Sequence, residues 1–392
     1  MKKYIPISKP YFNKNEEKAL SVVIQSGWVM QGPRVSEFEE EFAKYVGSKY
    51  AVAVSSGTAA LHLSLLAIGV KAGDEVIIPS FSFIATANSV VHCGASPVFI
   101  DIDQRTYNID PKRVEEYLAN AVKKNSKKTK AIMPVHQLGM PADMDYIMTI
   151  AKKYNLYVVE DAACALGSEY KGRKAGNIGD VGCFSFHPRK IITTGEGGMI
   201  TTNDKKVAEK VRLLRNHGMT ISPDKREKKS SIKEDYPIVG YNYRMTDMQG
   251  AIGLIQMKKL EFILNKRRTI AKRYDNLLEG IKWIERPYVP TYANPNYQSY
   301  IIRIKGNNNK IREYIVSKLI DSGISCKAGV QAIHLEKCYK GKYRGDKLIN
   351  TERAFYSTIL LPLYSELKEE AQNKIIQRLL RFYPKEKKGR LT

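Results

Sequence analysis

Cysteine is scarce in this 392-residue chain. There are five, at positions 93, 164, 183, 326 and 338, an odd count with no C-x-x-C spacing. That excludes a secreted disulfide framework and a zinc ribbon, and fits a reduced compartment. Long hydrophobic runs are missing as well. No stretch reaches the ~18–20 apolar residues of a membrane span. The opening MKKYIPISKPYF has two lysines but no apolar core of a signal peptide. A cytoplasmic protein without membrane insertion is expected, and no metal site. Acidic residues are the third shortage: 40 Asp+Glu stand against 64 Lys+Arg, a net charge of +24. Such an excess suits nucleic acid, an anionic membrane face or an anionic small substrate. Its local clusters at 123–130 (KKNSKKTK), 225–229 (KREKK) and 385–390 (KEKKGR) carry no interleaved aromatics. A solvated basic surface therefore outweighs a nucleic-acid groove, and no nucleic acid partner is expected.

Repeats and Gly/Ser- or Pro-rich linkers are absent too. With 43% hydrophobic and 27% charged residues, disorder is excluded as the main state. Short β-branched runs alternate with helical stretches. Strands are predicted over 50–54 (YAVAV), 75–78 (EVII), 97–102, 130–135, 156–159 (LYVV), 182–186 and 198–202. Helices are predicted over 59–68, 84–92, 142–154 and 251–278. Strands alternating with helices indicate α/β class, with a parallel sheet covered on both faces. The rhythm changes near 250. The expected division is an N-terminal arm over 1–13, a large α/β domain over 14–250 and a smaller C-terminal α+β domain over 251–392.

Four features carry chemistry, three of them just after predicted strands, where open α/β sheets bind ligands. Ser55-Ser56-Gly57-Thr58 joins a strand to a helix and would offer backbone amides and the positive helix end to a phosphate, or simply cap the helix. Glu160-Asp161 ends a buried strand. A carboxylate there needs a cation or hydrogen bonds, so it is either a partner for a protonated ring nitrogen, or an N-cap or surface pair. The run CFSFHPRKIITTGEGG, 183–198, sets Lys190 beyond a strand end among Phe, Ile and Thr, the setting of a Schiff-base lysine. Its glycines at 195, 197 and 198 permit a tight backbone beneath a bulky ligand. GYNYRMTD, 240–247, interleaves polar and aromatic residues before an apolar helix, which Thr246 or Asp247 would cap.

Together, SSGTAALHLSL, PSFSFIATANSV, VVEDAACALGS, SFHPRKIITTGEGG and VGYNYRMTDMQGAIG resemble the DegT/DnrJ/EryC1/StrS family of pyridoxal 5'-phosphate (PLP)-dependent nucleotide-sugar aminotransferases. The resemblance runs from about residue 4 to LPLY at 361–364. It implies the aspartate-aminotransferase fold (fold type I). That fold has a large domain, with a mostly parallel seven-stranded sheet sandwiched by helices, and a smaller α+β C-terminal domain. It also implies PLP as cofactor. Lys190 matches the lysine that forms the Schiff base, and Asp161 the carboxylate facing the pyridine nitrogen. Ser185 and the amides of Gly57 and Thr58 match the phosphate cradle. Phe83 falls where an aromatic stacks on the cofactor ring. Cys164 stands where many relatives carry Gln or His beside the cofactor. Asn242 matches an asparagine reaching the phosphate of the neighbouring subunit, which implies a homodimer with shared sites. Trp28 and Val29 match a loop lining the sugar pocket, and His334 a segment closing over the sugar. His187 packs structurally in this motif or meets substrate, and Arg189 would meet a substrate phosphate.

The implied reaction moves an amino group from L-glutamate to a nucleotide-linked keto sugar, of the 4-keto-6-deoxy kind, for surface polysaccharide, glycan or deoxysugar biosynthesis. A cyclitol acceptor is compatible with the same motifs. A sugar dehydratase would carry His in place of Lys190, and a purely regulatory protein would not need the full lysine, aspartate and phosphate set.

Overall fold

The computed structural model describes residues 4–124, 128–221, 234–306, 309–341 and 347–383. The basic clusters 225–229 and 385–390 lie outside the described residues, as do positions 125–127 of the third.

Seven strands form the main sheet: β1 (Tyr50–Val54), β2 (Glu75–Pro79), β3 (Ser96–Ile100), β4 (Thr129–Ile132), β5 (Tyr157–Asp161), β6 (Val181–Ser185) and β7 (Gly198–Thr202). Their order is β1-β7-β6-β5-β4-β2-β3. All neighbouring pairs are parallel except the two made by β7, whose Thr202 sits opposite both Tyr50 and Val181. The central strands are almost wholly buried, while β3 and β4 are buried only in their second halves. Two strands end earlier than the 97–102 and 130–135 expected. Asp101 takes the N–H of Ile102 with its own side chain, and Pro134 has no N–H to continue the ladder.

The covering helices are α1 (Lys14–Ser26), α2 (Pro33–Val46), α3 (Gly57–Ala67), α4 (Ala85–His92), α5 (Pro111–Lys123), α6 (Met144–Tyr154) and α7 (Lys205–Arg215). Helix α3 is apolar nearly all round and buries eight of its 11 residues. It packs on β6 and β7 beneath α4 and α7.

Helix α8 (Asp247–Leu277) begins four residues before the expected 251. Thr246 and Gln249 form a capping box there, each side chain bonding the other's backbone. Its first half packs on α2, with Leu260, Ile263 and Leu264 in the same cluster as Phe38 and Phe42. Its second half supplies Ile270, Ala271 and Tyr274 to a separate core. The expected boundary at 250 thus falls in the first turn of a helix that both cores share.

That second core covers an antiparallel sheet of β8 (Ile284–Glu285), β9 (Tyr300–Ile304), β10 (Lys327–Ala328) and β11 (Thr358–Leu361), in the order β8-β9-β11-β10. Helices α9 (Asn309–Asp321), α10 (Ile349–Ser357) and α11 (Glu369–Phe382) surround it. The N-terminal arm joins it as well: Ile5 is buried in this core and pairs with Ile324. Among the described residues, no helix is long and apolar enough to cross a membrane.

Candidate active site

The carboxyl ends of β1, β5 and β6 open onto a cavity of about 590 Å³, closed on its far side by the arm, β10 and the end of β11. Lys190, Asp161, Gly57, Thr58, Phe83, Cys164, Ser185, His187 and Arg189 all line it. Asn242, Trp28, Val29 and His334 do not.

Asp161 forms the floor. It is 4% exposed, and its Oδ2 accepts a hydrogen bond from Thr86 Oγ1 at 2.8 Å while Oδ1 accepts from the Ala163 amide at 3.2 Å. Ser82 Oγ lies 2.8 Å from Thr86 Oγ1. The single hydroxyl proton of Thr86 is committed to Asp161, so Ser82 donates to Thr86 and the chain of protons points at the carboxylate. Burial pushes the Asp161 carboxyl above its ordinary range. The two donors and the charge of Lys190 pull back without cancelling that push.

Lys190 stands over this floor on a segment tied at both ends. Phe186 donates to Gly197 O, Thr194 donates to Phe186 O, and the side chains of Ile191 and Ile192 are buried. Its Nζ donates to Cys164 Sγ at 3.1 Å, so the thiol occupies the wall beside the amine. His187 accepts the Arg189 amide at Nδ1. Partial burial, outweighing nearby Glu196, lowers its imidazole below the ordinary range.

The opposite end of the cavity is a ready anion cradle. Ser56 caps α3 by accepting from the Ala59 amide at 3.1 Å. The first-turn amides of Gly57 and Thr58 stay without partners in the chain, as helix geometry dictates. A Cβ on Gly57 would lie 2.7 Å from Ser185 Cβ, and one on Gly198 2.3 Å from Ser56 O. Only glycine lets these three backbones close to this distance and aim the Ser185 hydroxyl and the amides at one point. Phe83, 61% exposed, overhangs the cavity between cradle and floor.

Glu160, adjacent to Asp161, is not part of the cavity. It points through the other face of the sheet. There it accepts from His136 Nε2 at 2.8 Å and from the amides of Gly176, Ile178 and Gly179 at 2.8, 2.6 and 2.7 Å. Burial alone would raise its carboxyl, but these donors outweigh it and hold Glu160 below the ordinary range. The Ala142 amide donates to His136 Nδ1, so Nε2 carries the proton that meets Glu160. The pair fixes the 176–179 turn and is structural.

His334 also departs from the expectation that it faces the sugar. It is buried at 8% exposure. Its Nδ1 lies 2.7 Å from Ser80 Oγ, and its Nε2 lies 3.6 Å from Glu352, so it ties a small-domain segment to the end of β2. Trp28 lines a different cavity, of about 300 Å³, with Arg34 and Asp247. Val29 is exposed beside it, and the exposed Asn242 is bridged to Asn216. None of these three reaches the Lys190 cavity of its own chain.

Sequence reasoning did not single out Thr86, Ser82, Gln298 or Lys327, which also line the cavity. Thr86 and Ser82 lie inside the quoted PSFSFIATANSV, three residues either side of Phe83 or closer. Gln298 and Lys327 carry no local signal.

The set fits PLP. It has an amine for an aldehyde, a buried carboxylate for a ring nitrogen, and a phosphate-sized cluster of free amides plus a hydroxyl, all in one cavity. Comparison with known proteins agrees. The pattern of the DegT/DnrJ/EryC1/StrS aminotransferase family matches residues 10–380. A GDP-perosamine synthase of Caulobacter vibrioides is 38% identical over 377 residues, covering 96% of this chain and 97% of that protein. Helicobacter pylori PseC, an aminotransferase involved in the biosynthesis of pseudoaminic acid, superimposes with a TM-score of 0.89. It is 29% identical, with 97% of this chain and 99% of that one covered. Streptococcus pneumoniae Spr1654, solved in a PLP-form, gives a TM-score of 0.87 at 29% identity over 97% of this chain and 99% of that one.

Proposed function

The chain belongs to the DegT/DnrJ/EryC1/StrS aminotransferase family, and from that premise we propose that it uses PLP to move an amino group from L-glutamate to a nucleotide-linked keto sugar, of the 4-keto-6-deoxy kind, in the cytoplasm. The observation that carries this reading is the convergence of Lys190 Nζ, the Asp161 carboxylate and the Gly57, Thr58 and Ser185 donors on one cavity. The names of the Caulobacter and Helicobacter relatives support a sugar acceptor. The chain's excess of 64 Lys+Arg over 40 Asp+Glu suits a doubly anionic diphosphate.

When bound, PLP supplies the aldehyde that carries the amino group and a protonatable ring that draws off electrons. Gly57 and Thr58 would hold its phosphate through their first-turn amides, and Ser185 through its hydroxyl. Asp161 would face the ring nitrogen, and Thr86, by donating to Oδ2, favours the charged form of that carboxylate. Lys190 Nζ would bind the aldehyde and, when free, would take up and return the donor's α-proton as base and acid in turn. Phe83, which lines the cavity, would cover the ring face.

We extend the reading to a homodimer with shared sites. Asn242, Trp28 and Val29 stand apart from their own cavity. Exposed apolar side chains stand near them in the chain, Val22 at 52% and Met30 at 40% near Trp28 and Val239 at 90% near Asn242, and a second copy would cover these.

The test is direct. The purified protein is expected to be yellow, and L-glutamate is expected to shift its visible band toward the amine form. Borohydride is expected to fix the cofactor on the peptide containing Lys190. Fixation on another lysine overturns the assignment.

A further inference from the structure

The five cysteines sit in three different settings. Cys93, Cys183 and Cys326 are buried. Burial pushes the thiols of Cys93 and Cys326 up to about 12 and raises that of Cys183 as well. Sulfur enclosed in this way is inert to oxidants. Cys338 is exposed. Cys164 is half-buried and lines the main cavity, and its Sγ accepts a hydrogen bond from Lys190 Nζ at 3.1 Å. Among the described residues, it is the one cysteine hydrogen-bonded to an amine. Both backbones of the pair are pinned. Asn296 Nδ2 donates to Cys164 O at 2.9 Å, and the Lys190 amide donates to His187 O at 2.8 Å. A nucleophilic nitrogen and an oxidisable sulfur are thus held at the separation of a near-attack pair, in a cavity wide enough to admit a small oxidant.

We propose that Cys164 and Lys190 are the site of a reversible oxidative modification, in which hydrogen peroxide joins Sγ to Nζ by a direct sulfur–nitrogen bond. First, Sγ attacks one oxygen of the peroxide. The O–O bond breaks and an S–O bond forms. The proton shared by the pair leaves with the departing hydroxide as water. Sulfur is oxidised by two electrons and the peroxide is reduced. Next, the lone pair of Nζ attacks Sγ. The S–N bond forms, the S–O bond breaks, and the hydroxide departs as water with one proton of the amine. One thiol, one amine and one peroxide thus give one S–N link and two waters. Two equivalents of a small thiol reverse the step, restoring thiol and amine and becoming a disulfide. The link withdraws Nζ from any other chemistry. The link itself rests on the contact alone, and its cost to transamination rests on Lys190 being the cofactor lysine. While Nζ is engaged with the cofactor's aldehyde its lone pair is not free to attack, so the link belongs to the state in which the amino donor has released it.

The experiment uses the full chain loaded with PLP, with and without excess L-glutamate. Hydrogen peroxide is raised until the exposed Cys338 is oxidised, free thiols are then alkylated, and the digest is weighed by mass spectrometry. The peptides containing Cys164 and Lys190 are expected to be joined, at a mass about 2 Da below their sum, for the two hydrogens lost. The joined pair is expected to be roughly tenfold or more abundant with glutamate than without, and to separate on treatment with dithiothreitol. Lys190→Gln keeps the thiol and removes the amine, so Cys164 is expected to stop at a sulfenic acid that dimedone captures. Cys164→Ser is expected to give no joined pair. If Cys338 is oxidised while Cys164 remains alkylated and unjoined, the proposal falls. It falls equally if Cys164 is carried to the sulfinic acid with Lys190 unlinked. A joined pair heavier by one oxygen rejects the direct bond, and equal yields with and without glutamate reject the need for a released amine. If borohydride fixes the cofactor on another lysine and the pair still joins, the Lys190 reading falls and the link stands.

Discussion

Replacing Thr86 by valine removes the hydrogen bond that most favours the charged form of Asp161. Valine has the shape of threonine and fills the same buried space, so the change removes the hydroxyl and, with it, the acceptor of the Ser82 bond. The lost bond, 2.8 Å to Oδ2, is a hydrogen bond to a charged acceptor in a site shielded from water. Such bonds contribute about 1.5–3 kcal/mol. With the cofactor bound, Asp161 and the ring nitrogen would share a proton. The bond from Thr86 favours the arrangement with the proton on nitrogen and the charge on Asp161. Its loss moves that balance toward the neutral pair by roughly 10- to 150-fold. The direction follows from the rest of the site. Burial already raises the Asp161 carboxyl, and Thr86 is the foremost restraint against it, so the valine variant raises it further.

The consequence for pH has a definite sign. A carboxyl raised by folding contributes stability below its unfolded value and loses it as pH rises through the folded value. The apoprotein of Thr86→Val is therefore expected to lose stability relative to wild type at neutral pH and to approach it in acid. In the loaded enzyme the acid limb of kcat against pH is expected to move to higher pH. The decisive assay is the nitrogen NMR shift of cofactor labelled at the ring nitrogen, which separates protonated from neutral ring. A resonance moved toward the neutral ring, with kcat down about tenfold or more, supports the reasoning, and Thr86→Ser is expected to restore both. Ser82→Ala, which removes only the donor to Thr86, is expected to produce a smaller move in the same direction. An unmoved resonance and a kcat within twofold of wild type in the valine variant would refute it, whatever the stability did.

Glu160→Gln leaves three amides and the His136 N–H facing a group that is half donor. It is expected to cost about 3–5 kcal/mol in urea unfolding at pH 7, the scale for breaking a buried charged network. Folding depresses this carboxyl, so its contribution is present above the unfolded value and is lost as pH falls through the folded one. The gap between variant and wild type is expected to narrow in acid, and a constant gap would show that the charge is not what stabilises the turn. For the shared site, Lys190→Ala and Asn242→Ala subunits, each inactive alone, are expected on mixing to recover up to about half of wild-type activity per heterodimer, because one site then has both residues intact. No recovery from demonstrated heterodimers would return Asn242 to its own chain.

Much of the fold follows from patterns that act over a few residues. The seven strands of the main sheet are short β-branched runs, and each was legible because a parallel sheet buries both faces and tolerates little else. The start of α8 was displaced by four residues because its first turn is polar. The capping box at Thr246 and Gln249, rather than hydrophobic periodicity, decides where that helix begins. Among the site residues, those on the β1–α3 turn, the end of β5 and the loop after β6 lie in long motifs and gather in the cavity. Lys327 and Gln298 come from short segments more than 100 residues away from Lys190. No local spacing relates them to it; only the packing of the small sheet against the large one does.

Glu160 and Asp161 show what the matching motif names without explaining. Both are buried carboxylates at the end of one strand, and composition offers no reason to prefer either. Side chains alternate across a sheet, so consecutive residues must face opposite sides. One carboxylate of the pair was bound to enter the cavity and the other to leave it, but the alternation alone does not say which. What decides is the set of donors waiting on each face. Three backbone amides and an imidazole N–H saturate Glu160, leaving it no capacity for a ligand. Asp161 has one hydroxyl and one long bond from an amide, so it keeps lone pairs open toward the cavity. Swapping the register of β5 by one residue would exchange these roles and turn a saturated network toward the cavity. The carboxylate that enters the cavity is thus the less satisfied of the two. The Glu160 network beside it, by pinning the end of β5, keeps Asp161 turned toward Lys190.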